Sequence, residues 1–135
     1  MKKTIIILFL FFCFPFLVNA VELPNTYSEH VIIYDRSQGK ILQEKNSDEQ
    51  INIASLTKIM TTITAIEKIE FLDKSVTITS EMFKGLPYDA SLAGLKIGDK
   101  VTYLDLLYAS ILPSGAEATQ ALAISLTGSV ENFVN

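Results

Sequence analysis

The chain of 135 residues has no tryptophan, one cysteine and one histidine, and these shortages exclude several kinds of site. Cys13 lies in an apolar run near the N-terminus, so the rest of the chain can form no disulfide and offers no thiol nucleophile. Because His30 stands alone, without a cluster of His, Asp and Glu residues, we predict neither a metal site nor a cofactor. A Ser-His-Asp triad built on His30 stays open, although we interpret this residue as the start of a strand.

Basic residues are also scarce. Eleven Lys and Arg stand against fifteen Asp and Glu, and removing Lys2 and Lys3 lowers the formal net charge from −4 to −6. A chain this acidic argues against nucleic acid as a partner. It also has no electrostatic reason to bind an anionic membrane by itself. We therefore expect membrane association only through an N-terminal signal segment or a missing C-terminal part.

The first twenty residues have the layout of a secretory signal peptide. Lys2 and Lys3 precede an apolar run at 5–18, and small residues follow before position 21. The alternative is an uncleaved membrane anchor, but the run is shorter than the roughly 20 residues that a spanning helix needs. We predict a signal peptide at 1–20, a mature chain at 21–135, and export to the periplasmic or extracytoplasmic cell envelope.

The pattern of β-branched, apolar and turn-forming residues predicts an α+β fold. Thr102 is the predicted N-cap of one helix, with Asp105 three residues later in a capping box. The predicted elements are strands at 30–35, 41–44 and 73–79, an irregular stretch at 81–100, and helices at 55–70, 102–112, 116–126 and from 130 onward. On the helix after Thr102, the side expected to face the core carries Leu104, Leu107, Tyr108 and Ile111.

The first two predicted strands form a hairpin that lacks an obvious partner. A lone hairpin is marginally stable in water. Either these strands pair with the segment 75–79, or further strands of the sheet are missing from this chain. We favour the second possibility, in which the chain is the N-terminal part of a longer protein.

One short stretch, residues 53–62, concentrates the candidate chemistry. Ser55 precedes Lys58 by three residues at the start of an amphipathic helix, so a hydroxyl and an amine lie on the same side of a rigid element. A serine nucleophile with a lysine base needs this arrangement. The same spacing occurs at Ser37 and Lys40, within a predicted turn that would not hold the two groups in register. The structural alternative is that Ser55 caps the helix and Lys58 is a surface residue.

Several motifs, in order along the chain, resemble the secreted D-alanyl-D-alanine carboxypeptidases. This family comprises the low-molecular-mass penicillin-binding proteins, which are relatives of the serine β-lactamases. The motifs are Ile53-Ala54-Ser55-Leu56-Thr57-Lys58-Ile59-Met60-Thr61, Gly94-Leu95-Lys96-Ile97-Gly98-Asp99, Tyr103-Leu104-Asp105-Leu106-Leu107-Tyr108, Leu112-Pro113-Ser114-Gly115 and Gly128-Ser129-Val130-Glu131-Asn132-Phe133-Val134. The resemblance implies the N-terminal part of a β-lactamase/transpeptidase-like fold, with a hairpin and a helical region but without the C-terminal sheet strands.

The resemblance also implies roles for three residues. Ser55 matches the acyl-ester nucleophile, Lys58 the general base, and Ser114 a member of the proton-transfer network. Ala116 stands where the family usually has an asparagine, and Glu117 stands where it often has an acidic residue, to which we assign no catalytic role. The family's third motif, Lys-Thr-Gly on a sheet strand, is expected beyond this chain, which can therefore be inactive alone.

The function implied is a serine-type carboxypeptidase that removes the terminal D-alanine from peptidoglycan stem peptides. Its expected partners are stem peptides ending in D-Ala-D-Ala and β-lactam antibiotics. The alternatives are a D,D-endopeptidase or serine β-lactamase of the same fold, a non-catalytic wall-binding protein, and a truncated product without a function of its own. Ala116 and the absent third motif favour the non-catalytic wall-binding protein.

Overall fold

The structure is a computed structural model and describes residues 26–135. The predicted signal peptide at 1–20 lies outside the described residues. The chain divides after Gln50 into two compact units, the second of which is Ile51–Asn135.

The described part of the first unit is the predicted hairpin. Strand β1 is Val31–Asp35 and strand β2 is Lys40–Lys45, and they pair antiparallel with a register irregularity between Ile33 and Tyr34. β-branched residues favour the extended backbone of β1. Asp35 stabilises the turn, because its carboxylate accepts hydrogen bonds from three donors in the turn.

Within the described residues, the hairpin strands pair only with each other. The alternative that they pair with the segment 75–79 is wrong. Strand β3, Ser75–Thr77, instead pairs antiparallel with β4, Lys100–Thr102. The sequence predicted β3 within a longer strand and missed β4, which is only three residues long and follows directly on a turn.

The predicted helix at 55–70 has two parts. A 3₁₀ turn, Ala54–Leu56, precedes helix α1, Thr57–Lys68. Of the residues in α1 only Ala65 is fully buried, although the helix is strongly amphipathic. Apolar residues that recur at helical spacing in the 3₁₀ turn and α1 are largely exposed: Leu56, Ile59, Met60, Ile63 and Ile66.

The stretch 81–100, predicted to be irregular, is partly regular. It begins in a 3₁₀ turn, Ser80–Phe83, whose Met82 is buried in the core, and it ends in β4. Between them the chain runs without helix or strand through Ser91 to Leu95. The segment Ser91 to Leu95 forms hydrogen bonds with Ala116 and Glu117 at the start of the helix at 116–127.

Helix α2, Tyr103–Ile111, begins with the predicted capping box. The Thr102 hydroxyl accepts from the Asp105 N–H at 3.1 Å, and the Asp105 carboxylate accepts from the Thr102 N–H at 2.8 Å. The predicted core side of α2 is wrong apart from Leu107. The structure exposes Leu104, Tyr108 and Ile111, and the side chains that it buries are Tyr103, Leu106, Leu107 and Ser110.

Helix α3, Ala116–Thr127, is the centre of the second unit. It packs against α1, α2, the 3₁₀ turn at 80–83 and α4, Val130–Val134. Alanines on α3 allow these elements to approach closely, and Gly128 ends the helix in the left-handed conformation. The buried apolar core consists of Ala65, Val76, Ile78, Met82, Tyr103, Leu106, Leu107, Ala118, Ala121, Leu122, Ala123 and Phe133. No helix in the described part of the chain is long and apolar enough to cross a membrane.

Candidate active site

The backbone just before Ser55 adopts an unusual conformation. Ala54 has φ +45°, in the left-handed region that L-residues rarely occupy. The Asn52 side chain supports this bend, because its Oδ1 accepts a hydrogen bond from the Ala54 N–H at 3.0 Å. Ser55 then lies in the 3₁₀ turn, is exposed, and makes no capping bond to the helix. The alternative that Ser55 is a helix N-cap is therefore wrong.

Lys58 lies one helical turn after Ser55. Its Nζ is 3.1 Å from the Ser55 Oγ, and its side chain is half-buried while the serine is exposed. The two groups are within direct proton-transfer distance. The short 3₁₀ turn that leads into α1 thus brings the predicted nucleophile and base together.

Ser114 reaches the same hydroxyl from a distant part of the sequence. Its Oγ is 2.9 Å from the Ser55 Oγ, although the two residues are 59 positions apart. Ser114 lies in the connection between α2 and α3 and has φ +60°, again in the left-handed region. The structure therefore places all three predicted site residues in one cluster, with Ser55 at its centre.

These side chains line one cavity of about 290 Å³. Its walls come from the start of α1, the end of α2 and the turn that follows. The lining residues are Ile53, Ser55, Leu56, Lys58, Ile59, Ser110, Ile111 and Ser114. Lys58 is the only charged residue among them, so the cavity combines three serine hydroxyl groups and one amine with apolar walls.

The second Ser-Lys pair and the histidine have other contacts, both within the first unit. The Ser37 hydroxyl donates to Asp35 at 2.6 Å in the hairpin turn. His30 Nε2 lies 2.9 Å from a Glu49 carboxylate oxygen. In residues 26–135 no three His, Cys, Asp or Glu side chains are grouped so that they could hold a metal ion.

Ala116 and Glu117 follow the Ser114–Gly115 turn and have very different side chains. Ala116 offers no polar side chain to the cluster at the position where an asparagine was expected. Glu117 is fully buried, and its Oε1 accepts hydrogen bonds from the N–H groups of Gly94 and Leu95 at 2.9 and 3.2 Å. No local pattern predicts this burial, because an acidic residue in the first turn of a helix is ordinarily solvated.

Two further residues support the site and were missed by sequence reasoning. The side chain of Asn52 stabilises the bend at Ala54. An asparagine often accepts a hydrogen bond from the backbone N–H two residues later, so this contact could have been predicted from the sequence. Gly115 is needed for space: a Cβ added there would lie 2.6 Å from the Ala109 carbonyl oxygen and 2.8 Å from the Ala93 Cβ. No local pattern could reveal that second requirement, since it depends on a segment more than twenty residues away.

The cluster has the parts required for nucleophilic acyl transfer. A serine hydroxyl contacts an amine that, when neutral, can accept its proton, and a second hydroxyl can pass a proton onward. The hydroxyl hydrogens can rotate, so each contact can serve in either direction of proton transfer. The arrangement is a serine–lysine pair extended by a second serine.

Comparisons with known proteins agree on one family. The sequence profile of the D-alanyl-D-alanine carboxypeptidase family of peptidases matches residues 17–135. D-alanyl-D-alanine carboxypeptidase DacC of Escherichia coli is 36% identical over 86% of this chain and 31% of its own length. D-alanyl-D-alanine carboxypeptidase DacF of Bacillus subtilis is 33% identical over 79% of this chain and 28% of its own length.

A solved structure gives the same result for the fold. The DD-transpeptidase of Streptomyces K15 superposes with a TM-score of 0.77 and 32% identity, over 84% of this chain and 47% of that one. The chain thus spans about a third of the length of the two carboxypeptidases and about half of the transpeptidase. The predicted α+β fold of the penicillin-binding proteins is confirmed, and the chain belongs to the D-alanyl-D-alanine carboxypeptidase family.

Proposed function

We propose that this protein is a serine-type D-Ala-D-Ala carboxypeptidase that acts on peptidoglycan stem peptides. One observation carries the proposal: the Ser55 Oγ lies at 3.1 Å from the Lys58 Nζ and at 2.9 Å from the Ser114 Oγ, in one cavity. The family profile and the names of the relatives support the substrate class. We assign Ser55 as nucleophile, Lys58 as general base and Ser114 as proton relay.

This geometry supports the following reaction. Neutral Lys58 takes the proton of the Ser55 hydroxyl, and the oxygen attacks the carbonyl carbon of the penultimate D-alanine. The tetrahedral intermediate collapses, the carbon–nitrogen bond breaks, and Ser114 relays the proton from Lys58 to the leaving amine. Free D-alanine departs and leaves an ester on Ser55. Water then hydrolyses this ester, which releases the shortened peptide and restores the serine.

The proposed acyl transfer also predicts which compounds inhibit the protein and where in the cell it acts. A β-lactam ring carries a strained amide, so attack by Ser55 would open the ring and leave a stable acyl-enzyme. A substrate in the cell wall requires export, which agrees with the predicted signal peptide at 1–20 and an extracytoplasmic place of action. β-Lactams and stem peptides ending in D-Ala-D-Ala are the proposed partners.

Release of D-alanine from a synthetic pentapeptide ending in D-Ala-D-Ala tests the proposal. Wild-type protein and the Ser37→Ala variant should release it at the same rate, because Ser37 belongs to the second Ser-Lys pair and bonds to Asp35. Ser55→Ala should release none. Equal release by Ser55→Ala would overturn the assignment of the nucleophile.

Parallel substrates separate the alternatives. Cleavage of a cross-linked peptide dimer without release of terminal D-alanine would indicate an endopeptidase. Rapid turnover of penicillin would indicate a β-lactamase. Retention on peptidoglycan without any penicillin adduct would indicate a non-catalytic wall-binding protein, an outcome that Ala116 alone among the site residues favours.

A further inference from the structure

Glu117 is the only charged side chain that is fully buried among the described residues. Burial of a carboxylate is costly unless hydrogen bonds compensate for the lost water. Its Oε1 accepts two backbone hydrogen bonds, from Gly94 and Leu95, whereas Oε2 is buried without a partner. These two hydrogen bonds are contacts that a small apolar side chain could not make.

The contacts of Glu117 fasten the segment 91–95 to the beginning of α3. Next to them, the Ala116 N–H donates to the Ser91 carbonyl oxygen at 2.8 Å. Between these bonds the Ala93 methyl group packs against Gly115 so tightly that no side chain fits there. The positive end of the α3 dipole adds a favourable interaction with a carboxylate in the first turn.

The clamped turn is the one that presents Ser114. Gly115 donates its N–H to the Ala109 carbonyl oxygen at 3.0 Å, which fixes the turn on the side of α2. The segment 91–95 holds the same turn where it leads into α3, through its contacts with Gly115 and Ala116. Ser114, with φ +60°, is held between these anchors in a strained conformation that persists only when its surroundings impose it.

We propose that Glu117 is a positioning residue: its buried carboxylate clamps the segment 91–95 to α3 and so holds the Ser114 hydroxyl at hydrogen-bond distance from Ser55. Glu117 does not itself contact the cavity, since its side chain is absent from the cavity lining. It acts through Ser114. The kinetic consequence rests on the proposed function, whereas the structural consequence does not.

Amide hydrogen exchange of the full chain tests the clamp without reference to activity. In Glu117→Ala, exchange at Gly94 and Leu95 should accelerate at least about tenfold relative to the α3 core, because each N–H loses its acceptor. Exchange at Gly115 and Ala116 should accelerate with them, because the turn is released. Glu117→Gln retains a carbonyl oxygen that can accept both bonds and should stay within about threefold of the wild type.

Asp105 provides a matched control. It too is a carboxylate in the first turn of a helix that accepts a backbone N–H, but its hydrogen bonds go to Thr102 at the start of α2 and not to the segment 91–95. Asp105→Ala should lower overall stability and leave the relative exchange at Gly115 and Ala116 unchanged. If Asp105→Ala and Glu117→Ala accelerate these two amides equally, Glu117 contributes only general stability and the proposal is wrong.

A second readout concerns the chemistry. In Glu117→Ala, the rate constant for acylation by a fluorescent penicillin should fall about tenfold, while the constant for reversible binding stays within about twofold. Glu117→Gln should restore most of the rate. An unchanged acylation rate, or an equal loss in both variants, would overturn the positioning role. If wild-type protein forms no adduct, the proposed function fails, and the exchange experiment alone decides about Glu117.

Discussion

Two residues beside the candidate nucleophile, Ala54 and Ser114, have backbone conformations that L-amino acids avoid. Such residues are uncommon, and they cluster at functional sites because they aim side chains that a relaxed backbone would direct elsewhere. Here one bend precedes Ser55 and the other carries the hydroxyl that contacts it. At the scale of single residues, the site is therefore built from strained backbone held by neighbouring hydrogen bonds.

Replacing Ala54 by glycine tests whether strain is stored before Ser55. Glycine adopts φ +45° without steric cost, so Ala54→Gly should raise the free energy of unfolding by about 0.5–1 kcal/mol. Ala90→Gly, at a position without positive φ, should lower it or leave it unchanged. Urea unfolding of the two variants measures the difference. A destabilised Ala54→Gly variant would show that the surroundings of Ala54 impose no strain.

At the scale of elements, the sequence predicted the helix caps and helix ends well, but it did not predict which residues are buried by tertiary packing. The capping box of Thr102 and Asp105 was predicted correctly, and the helix predicted at 116–126 differs by one residue from Ala116–Thr127, because both features depend on a few adjacent residues. The prediction of the buried face of α2 was mostly wrong. Apolar residues lie on all sides of this helix, and the position of α3 determines which of them are buried. The meeting of Ser114 with Ser55 was expected only from the family resemblance, since no local pattern links residues so far apart.

The capping box also predicts a dependence on pH. The hydrogen bonds from the Thr102 side chain and backbone to Asp105 hold the pKa of that carboxyl below its ordinary value of 3.8. A lowered pKa in the folded state adds stability above pH 3.8, and this contribution is lost as the pH falls through the folded-state pKa. Because Asp105 is exposed to solvent, the contribution is small.

We therefore expect the wild type to lose more stability between pH 5 and about pH 3 than Asp105→Ala does. At neutral pH the variant should be less stable by about 0.3–1 kcal/mol, the ordinary contribution of an exposed carboxylate in the first turn of a helix. Thermal unfolding across this pH range measures both effects. Identical acid dependence in the two proteins would show that the Asp105 carboxyl is not tuned by its cap.

At the scale of the whole molecule, the described surface carries an apolar stripe along α1. Ile59, Met60, Ile63 and Ile66 are each 45–60% exposed. Contiguous apolar patches are rare on monomeric proteins and bind other apolar surfaces. The chain also spans about a third of the length of its carboxypeptidase relatives. We expect the 135-residue chain to bind a hydrophobic dye and to self-associate.

Charge on the stripe should reverse this behaviour. The double variant Met60→Lys and Ile66→Lys should bind less dye and should elute from a sizing column at a smaller apparent mass. Val134→Lys changes an exposed apolar residue on α4 and serves as the control, with no expected effect. Equal dye binding by all three proteins would place the apolar binding surface elsewhere.

The central claim is that Ser55, activated by Lys58 and contacted by Ser114, is an acylating nucleophile. Mass spectrometry after incubation with penicillin tests it most directly, because the adduct adds a known mass to one peptide. We predict a single adduct on the peptide that contains Ser55, retained in Ser37→Ala and absent from Ser55→Ala. An adduct that persists in Ser55→Ala, or that maps to another serine, would contradict the account.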